Sequence, residues 1–209
     1  MIDEKVNINI FDEWALKDKD KGMEKGHASS VECMLEIIDV RSNILNNNFN
    51  FLDLGCGNGW VVRKFSNNHL CDLAVGVDGA QNMIEKANLN DSKGQYFQSN
   101  IESWESEEKF DVIFSMETFY YLKNVDNVLK KLSDSMLKSN GLIVIGIDHY
   151  LENKPSLSWE EEIGIQTQTL SINQWKEKFK ENNFKNIEHI QVGEKDDWAG
   201  TLIISAFKD

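Results

Sequence analysis

Residues 51–60 of the chain read Phe-Leu-Asp-Leu-Gly-Cys-Gly-Asn-Gly-Trp, an apolar run that leads into three glycines at alternate positions. A short apolar run bounded by glycines is typical of a buried strand. Glycine lets the backbone turn sharply and approach a ligand at points where a Cβ would collide. The stretch therefore predicts a strand that ends in a ligand-binding turn, which lies at the carboxyl edge in a doubly wound sheet.

Strand and helix patterns alternate along most of the chain. Apolar strand patterns occur, with helical patterns between them, at residues 49–54, 73–77, 95–98, 110–115 and 142–147. Parallel strands require such crossovers, and helices then cover both faces of the sheet. Residues 187–192 and 201–207 have strand patterns with no helix between them. The predicted fold class is α/β: a doubly wound, seven-stranded, mostly parallel sheet with a C-terminal antiparallel hairpin and helices on both faces.

The length of 209 residues fits one domain. Residues 1–48 precede the first strand and are predicted to form a helical cap. Its first amphipathic helix is predicted to begin near Ser29, because Ser29 and Glu32 have capping-box spacing. Residues 49–209 form the predicted core, in which Asn140-Gly141 ends the helix before the fifth strand. The long irregular segment 149–170 is predicted to be an insertion that covers the site.

The composition restricts the class of function. The formal net charge is −13, from 35 acidic and 22 basic residues. A nucleic-acid-binding protein normally gathers Lys and Arg into a surface that displaces phosphate counterions, and the sequence shows no such cluster. It has no long apolar run and no signal-peptide pattern, so a cytoplasmic protein without a membrane segment is expected. The three cysteines lack metal-ligand spacing, and no metal is expected.

Two other glycine-rich turns bind phosphate groups, and both differ from this one. The dinucleotide-binding fingerprint, counted from Gly55, requires glycine or alanine at position 60, where the chain has Trp60. The P-loop requires a following Gly-Lys-Ser or Gly-Lys-Thr, which the sequence does not contain. A tight strand-to-helix turn without any ligand remains an alternative.

The glycine turn resembles the first motif of the class I, Rossmann-like S-adenosylmethionine-dependent methyltransferases, and the resemblance extends over about residues 49–147. It implies S-adenosylmethionine as the cofactor and S-adenosylhomocysteine as the product. The acid equivalent to Asp53 lies near the methionine amino group in that family, and a carboxylate can attract this group by charge. The resemblance implies that the turn beneath the cofactor consists of Gly55, Cys56, Gly57, Asn58 and Gly59.

Three further landmarks resemble the family in order and spacing. Asp78 ends the second strand about twenty residues after the glycines, a spacing that suits a contact with ribose hydroxyls. Met83 looks like the family residue that packs against adenine. Asn100 stands where related enzymes usually have aspartate, and it keeps an acceptor oxygen for the adenine amino group. The other residues implied to surround the cofactor are Gly79, Ile101, Glu102, Ser115 and Met116.

The methyl acceptor is less well defined by the sequence. The fourth strand is followed by Ser-Met-Glu-Thr instead of the Pro-Pro-aromatic run of enzymes that methylate DNA amino groups. The sole proline, Pro155, precedes Ser156 and not the nucleophilic cysteine of cytosine-C5 enzymes. A small-molecule acceptor is favoured, with a protein side chain or a non-catalytic S-adenosylmethionine-binding role as alternatives. The catalytic candidates are Glu117 and His149, and the candidate acceptor contacts are Trp14, His27, Glu117, Tyr120, Tyr121, His149, Tyr150 and Trp159.

Overall fold

The structure, a computed structural model, describes residues 2–209. This part of the chain contains seven strands: β1 (Phe49–Leu54), β2 (Cys71–Asp78), β3 (Gln95–Gln98), β4 (Phe110–Met116), β5 (Leu137–Ile147), β6 (Phe184–Val192) and β7 (Thr201–Lys208). They form one sheet in the order β3-β2-β1-β4-β5-β7-β6. Strands β1 to β5 are parallel, whereas β7 is antiparallel to β5 and β6. The predicted mostly parallel sheet with a C-terminal hairpin is confirmed.

Helices cover both faces of this sheet. They are α1 (Glu4–Leu16), α2 (Lys19–Arg41), α3 (Trp60–Ser66), α4 (Gln81–Asn90), α5 (Val125–Lys131), α6 (Trp159–Ile163) and α7 (Ile172–Glu181), with short helical turns at Ile44–Asn46, Phe119–Tyr121, Leu132–Met136 and Lys154–Ser158. Alternate residues of a strand point to opposite faces. Leu52 of β1 accordingly packs in the core under α5 and α7, and Phe51 packs in the core under α2 and α3. Among residues 2–209, none of these helices has the length and hydropathy needed to cross a bilayer.

Helix α2 begins at Lys19, so the prediction of a helix start near Ser29 is wrong. Ser29 lies inside the helix, and Gly22 and Gly26 precede it within the same helix. A glycine inside a helix costs roughly 0.5–1 kcal/mol relative to alanine. Tertiary contacts offset that cost, because the Lys86 Nζ atom of α4 lies 2.6 Å from the Asp20 Oδ1 atom in the first turn of α2.

The boundary before the fifth strand also differs from the prediction. Strand β5 begins at Leu137, directly after the turn Leu132–Met136, so Asn140-Gly141 does not end a helix. Asn140 has a φ of 59° and lies inside β5, where the pairing with β4 shifts its register. Asparagine tolerates this left-handed conformation better than most residues do. The pair therefore forms an irregularity within the strand.

The strand order reverses at the carboxyl edge of the sheet, and this reversal leaves a gap between the connections that follow β1 and β4. From β1 the chain continues outward to β2 and β3, and it then crosses to β4 on the other side of β1. The connections leave the sheet in opposite directions at the carboxyl ends of β1 and β4. Open α/β sheets bind ligands at such a reversal point.

Candidate functional site

A cleft opens at this reversal point, where β1, β2 and β4 end. It contains about 1090 Å³ of space, including its mouth, that protein atoms do not occupy. One wall consists of residues that follow the three strands, and the opposite wall consists of residues of α1 and α2.

The glycine turn after β1 forms the floor of the cleft and is tied to the end of β2. The backbone N–H groups of Gly55 and Cys56 donate hydrogen bonds to the Val77 carbonyl over 2.8 and 3.1 Å. Gly55, Gly57 and Gly59 all have positive φ, at 79°, 52° and 75°. This left-handed region is accessible to glycine without steric cost. The local sequence therefore explains why the turn can form.

The three glycines differ in what surrounds them. A Cβ on Gly55 would lie 1.8 Å from the Thr118 Oγ1 atom, and a Cβ on Gly59 would lie 2.5 Å from the ring of Tyr96. A Cβ on Gly57 would meet no atom within 4 Å, and Gly57 lines the cleft. Gly55 and Gly59 are thus required by packing of the protein itself. At Gly57 the fold leaves open space beside the backbone.

Two carboxyl groups line the cleft near this turn. Asp53 is buried, and the loss of water contact raises its pKa well above the usual range, with a further increase from the nearby Asp78 carboxylate. Asp78 accepts hydrogen bonds from the N–H groups of Gly57 and Ala80 over 2.9 and 2.8 Å. Desolvation raises the pKa of Asp78, although these two hydrogen bonds act in the opposite direction. A cation beside either carboxylate would favour its charged form.

An apolar part of the cleft adjoins these acids. It is lined by Met83 from α4 and by Ile101 and Leu122 from the loops after β3 and β4. Asn100 also lines this part, and its Oδ1 atom accepts a hydrogen bond from the Glu102 N–H over 2.8 Å. A flat apolar group with polar atoms at its edge would match such a lining.

Glu117, directly after β4, lies in the cleft in a strained backbone conformation. Its φ is 58°, and a non-glycine residue in this region costs about 1–3 kcal/mol. Its two carboxylate oxygens accept hydrogen bonds from the Asp148 N–H over 2.6 Å and from the Tyr120 hydroxyl over 2.5 Å. Desolvation raises the pKa of Glu117 well above its usual range, and the Asp148 carboxylate adds to the increase. The fold thus holds one carboxyl group in place at the end of β4.

The structure brings many of the predicted residues together in one cleft. Those that line it are Asp53, Gly55, Cys56, Gly57, Asn58, Asp78, Gly79, Met83, Asn100, Ile101, Met116, Glu117, Tyr121 and His27. Three predicted cofactor residues, Gly59, Ser115 and Glu102, lie just outside it. Gly59 packs against Tyr96, and Ser115 donates a hydrogen bond to the Leu54 carbonyl over 2.6 Å. Glu102 accepts hydrogen bonds from the backbone of Lys123 and Asn124. These three support the turns that shape the cleft.

Five of the predicted acceptor contacts, including all three after β5, contact other parts of the protein instead of lining the cleft. The ring nitrogens of His149 are within 3.0 Å of the Ser156 carbonyl and 2.8 Å of the Thr169 hydroxyl. The Tyr150 hydroxyl donates to the Gly200 carbonyl over 2.9 Å, and Trp159 stacks on Trp198 with ring centroids 6.2 Å apart. Tyr120 is fully buried below Glu117, and Trp14 packs edge-on against Phe11. Among residues 2–209, none of these five side chains lines the cleft.

The residues that line the cleft opposite the strand ends come from α1 and α2, and among the described residues none of 149–170 lines it. That segment lies behind α1 and supports it. The Asn7 side chain of α1 donates to the Gln166 carbonyl and accepts from the Gln166 N–H, each over 2.8 Å. The lining residues that the sequence analysis missed in the two helices are Asn7, Ile8, Phe11, Asp20, Met23 and Glu24. The sequence predicted no amphipathic helix before about Ser29, so these residues were not predicted to form part of a cleft wall.

The lining of the cleft is strongly acidic. It includes five carboxyl groups, those of Asp20, Glu24, Asp53, Asp78 and Glu117, and among the described residues no Lys or Arg lines it. Asp20 is neutralised by Lys86 outside the cleft. Among the described residues, no Lys or Arg within the cleft pairs with the other four, which favours a ligand with positive charge.

A family model described as a methyltransferase domain matches residues 21–189 of the chain. Malonyl-acyl-carrier-protein O-methyltransferase 2 of Ilyobacter polytropus is 33% identical over 116 residues, which cover 52% of this chain and 44% of that relative. A ubiquinone biosynthesis O-methyltransferase of Bradyrhizobium diazoefficiens is 31% identical over 124 residues, which cover 57% and 48%. The chain thus spans about half the length of the curated relatives it matches.

Solved structures show the same architecture. A chain in the complex that contains the Trm112 methyltransferase activator of Haloferax volcanii superposes with a TM-score of 0.81. The match covers 94% of this chain and 96% of that chain, at 23% sequence identity. At this identity the likeness establishes the fold.

Proposed function

Because the chain belongs to the methyltransferase-domain family and has the Rossmann-like fold of class I S-adenosylmethionine-dependent methyltransferases, we propose that it transfers a methyl group from S-adenosylmethionine to a small-molecule acceptor. The observation that carries the proposal is the combination of Asp53, Asp78 and the open space at Gly57 in one cleft. A cleft that is lined by carboxyl groups and has open space beside the Gly57 backbone suits a cationic ligand that contacts this backbone directly.

The residues present fit S-adenosylmethionine, whose amino group and sulfonium sulfur are both positively charged. The pKa of Asp53 is raised in the protein alone because burial removes water from its carboxylate and the Asp78 carboxylate lies nearby. A bound ammonium group would provide a cation and favour the ionised carboxylate. The space beside Gly57 would accept a part of the ligand that a side chain at this position would displace.

We assign the cofactor-binding roles as follows from the positions of the side chains. Asp53 attracts the methionine amino group. Asp78 accepts hydrogen bonds from the ribose hydroxyls, since each of its oxygens keeps a lone pair beyond the one used by the backbone. Met83 and Ile101 pack against the adenine ring, and Asn100 offers a polar contact at its edge.

Bound S-adenosylmethionine supplies a methyl group on a positively charged sulfur, from which an acceptor can displace it. The chain itself binds and orients the reactants, and such positioning contributes roughly 7–11 kcal/mol to lowering the barrier. Ile8, Phe11 and Met23 of the two covering helices exclude water from the cleft. Glu117 takes the proton from an acceptor that arrives protonated, because its carboxylate is held in place in the cleft and desolvation raises its pKa above the usual range.

The name of one relative refers to ubiquinone biosynthesis, which supports an acceptor of low molecular weight, whereas the other name refers to a malonyl group carried on a protein. The test uses S-adenosylmethionine labelled in its methyl group together with a panel of amines, carboxylates and phenols. We expect acceptor-dependent formation of S-adenosylhomocysteine and a labelled product, both measured by mass spectrometry. Tight S-adenosylhomocysteine binding without transfer to any acceptor class would instead indicate a non-catalytic binding protein.

A further inference from the structure

Three side chains from distant parts of the chain meet beside the end of β4. His27 comes from α2, Glu117 follows β4, and Asp148 follows β5. Each offers one donor atom, and these atoms all lie within 4.8 Å of one another. His27 and Glu117 also line the cleft. We refer to these three residues, each of which can donate a lone pair to a cation, as the donor cluster.

The donor cluster has two carboxyl groups and no compensating cation. Asp148 is only 7% exposed, and its Oδ1 atom has no hydrogen-bond partner among residues 2–209. The His27 Nε2 atom lies 3.8 Å from the Asp148 Oδ2 atom, which is too far for a hydrogen bond. Desolvation lowers the pKa of His27, although Asp148 opposes the shift, so this imidazole is neutral near pH 7. Because a buried carboxylate oxygen without a hydrogen bond is unfavourable, the cluster favours a bound cation.

We propose that the donor cluster binds the protonated amino group of the methyl acceptor, and that the acceptor is therefore a small amine. This inference rests on the proposed function, because it concerns the acceptor side of the same cleft. The rings of Phe11 and Tyr121 line the cleft as well, with their centroids 5.1 Å apart and their planes at 69°. Aromatic faces attract cations and also provide apolar contacts for the rest of an amine.

The spacing of the donor atoms favours an ammonium group over a metal ion. An ammonium nitrogen about 2.9 Å from each of two acceptors, at a tetrahedral angle, separates these acceptors by about 4.7 Å. Ligands bound to Zn²⁺ or Mg²⁺ at about 2.0–2.2 Å are separated by only about 3.0–3.5 Å. The distance of 3.8 Å between the His27 Nε2 and Asp148 Oδ2 atoms exceeds the separation of adjacent ligands on these metal ions.

The acceptor nitrogen must release a proton before it can use its lone pair. Glu117 is placed to receive this proton, since hydrogen bonds from the Asp148 N–H and the Tyr120 hydroxyl fix its carboxylate. The N–H bond breaks, its electron pair stays on nitrogen, and the proton forms an O–H bond with a Glu117 oxygen. The raised pKa of Glu117 makes this transfer more favourable than it would be to an exposed carboxylate.

The same charges disfavour an anionic acceptor. A carboxylate would face Glu117 and Asp148, and no Lys or Arg from the described residues lines the cleft to neutralise it. The acceptor class inferred here therefore differs from the O-methylation in the names of the two relatives. Both matches cover less than half of those proteins, so a different acceptor region is compatible with the shared part.

The test compares matched ligands on protein saturated with S-adenosylhomocysteine. One set is phenethylamine, phenethyl alcohol and hydrocinnamate, and a second set is hexylamine, hexanol and hexanoate. In calorimetric titrations, we expect an amine to bind at least about tenfold more tightly than the matched alcohol, because it adds charge-assisted hydrogen bonds. The carboxylates should not bind measurably. Equal affinity of amines and alcohols in both sets, or tighter binding of a carboxylate, would overturn the proposal.

Variants locate the effect at the donor cluster. Glu117→Gln and Asp148→Asn should each weaken amine binding about tenfold or more and leave the affinity for S-adenosylhomocysteine unchanged. The matched control is Glu161→Gln, at an exposed position of α6, which should change neither affinity. Amine binding that survives both cluster variants would refute the site. A rise in melting temperature caused by Mg²⁺, Mn²⁺ or Zn²⁺ alone, and abolished by Asp148→Asn, would identify a metal site and also refute it.

The two proposals fail in different ways. Wild-type protein that binds S-adenosylhomocysteine but shows no preference for amines retains the proposed function and loses this inference. Wild-type protein that does not bind S-adenosylhomocysteine loses the proposed function and this inference together.

Discussion

Replacing Gly57 with alanine tests whether a bound ligand, and not only the positive φ of the backbone, requires glycine at this position. Gly57 has a φ of 52°, and a Cβ there would meet no protein atom within 4 Å. Gly164, which follows α6, provides a matched control, with a φ of 75° and equally open surroundings. Forcing alanine into the left-handed region costs roughly 1–2 kcal/mol at either position. Both variants should therefore lose similar stability, which corresponds to roughly 2–8 °C in melting temperature for a chain of this size.

Only the Gly57 variant should lose affinity for the cofactor. Its added methyl group would occupy space in the cleft that we assign to S-adenosylmethionine, whereas Gly164 does not line the cleft. We expect the dissociation constant of S-adenosylhomocysteine to rise at least about tenfold, or about 1.4 kcal/mol, in Gly57→Ala. The Gly164→Ala value should match the wild type in the same calorimetric assay. Unchanged affinity in a folded Gly57→Ala variant would refute the assignment of this space to the ligand.

Three further substitutions test other parts of the site. Asp78→Ala should weaken S-adenosylhomocysteine binding about tenfold or more by removing the ribose contact, and normal affinity in a folded variant would contradict that role. His149→Ala should lower the free energy of unfolding by roughly 1–3 kcal/mol, because two buried hydrogen bonds are lost, without changing cofactor affinity in calorimetry. Desolvation raises the pKa of Asp53, so the folded chain holds a proton that the unfolded chain has released, and stability is lost as pH rises through the raised pKa. The ligand-free protein should therefore melt at a higher temperature near pH 5 than near pH 8, and Asp53→Asn should reduce this difference; an unaltered pH profile would argue against a raised pKa at Asp53.

The sheet was predictable from the sequence because each central strand is a short apolar run that ends in polar or glycine residues. The parallel order followed from the helical patterns between these runs, and the C-terminal hairpin followed from the missing helix between β6 and β7. These sequence patterns are local, and the fold contains the strands that they predict because both faces of the sheet are buried.

The helix boundary that differed from the prediction, and the orientation of one candidate side chain, depend on long-range contacts. Ser29 and Glu32 have the spacing of a capping box, yet α2 extends past them, with an ion pair between Asp20 and Lys86 in its first turns. His149 follows a strand at the correct edge of the sheet, but its ring points towards Ser156 and Thr169. The direction of a side chain after a strand depends on the neighbouring loops, which local sequence patterns do not describe.

The donor cluster illustrates the same limit of sequence-based prediction within the candidate site. Asp148 was not among the predicted site residues. Its association with His27 and Glu117 depends on the packing of α2 over the ends of β4 and β5. Sequence spacing therefore predicted the cleft residues that follow β1 and β2 but not Asp148.

The most direct test of the central claim is a calorimetric titration of the wild-type protein with S-adenosylmethionine and S-adenosylhomocysteine. The account predicts saturable binding of both at one site, and competition between them. If neither molecule binds to folded protein, the acid-lined cleft is not a site for this cofactor, and the proposed methyl transfer is contradicted.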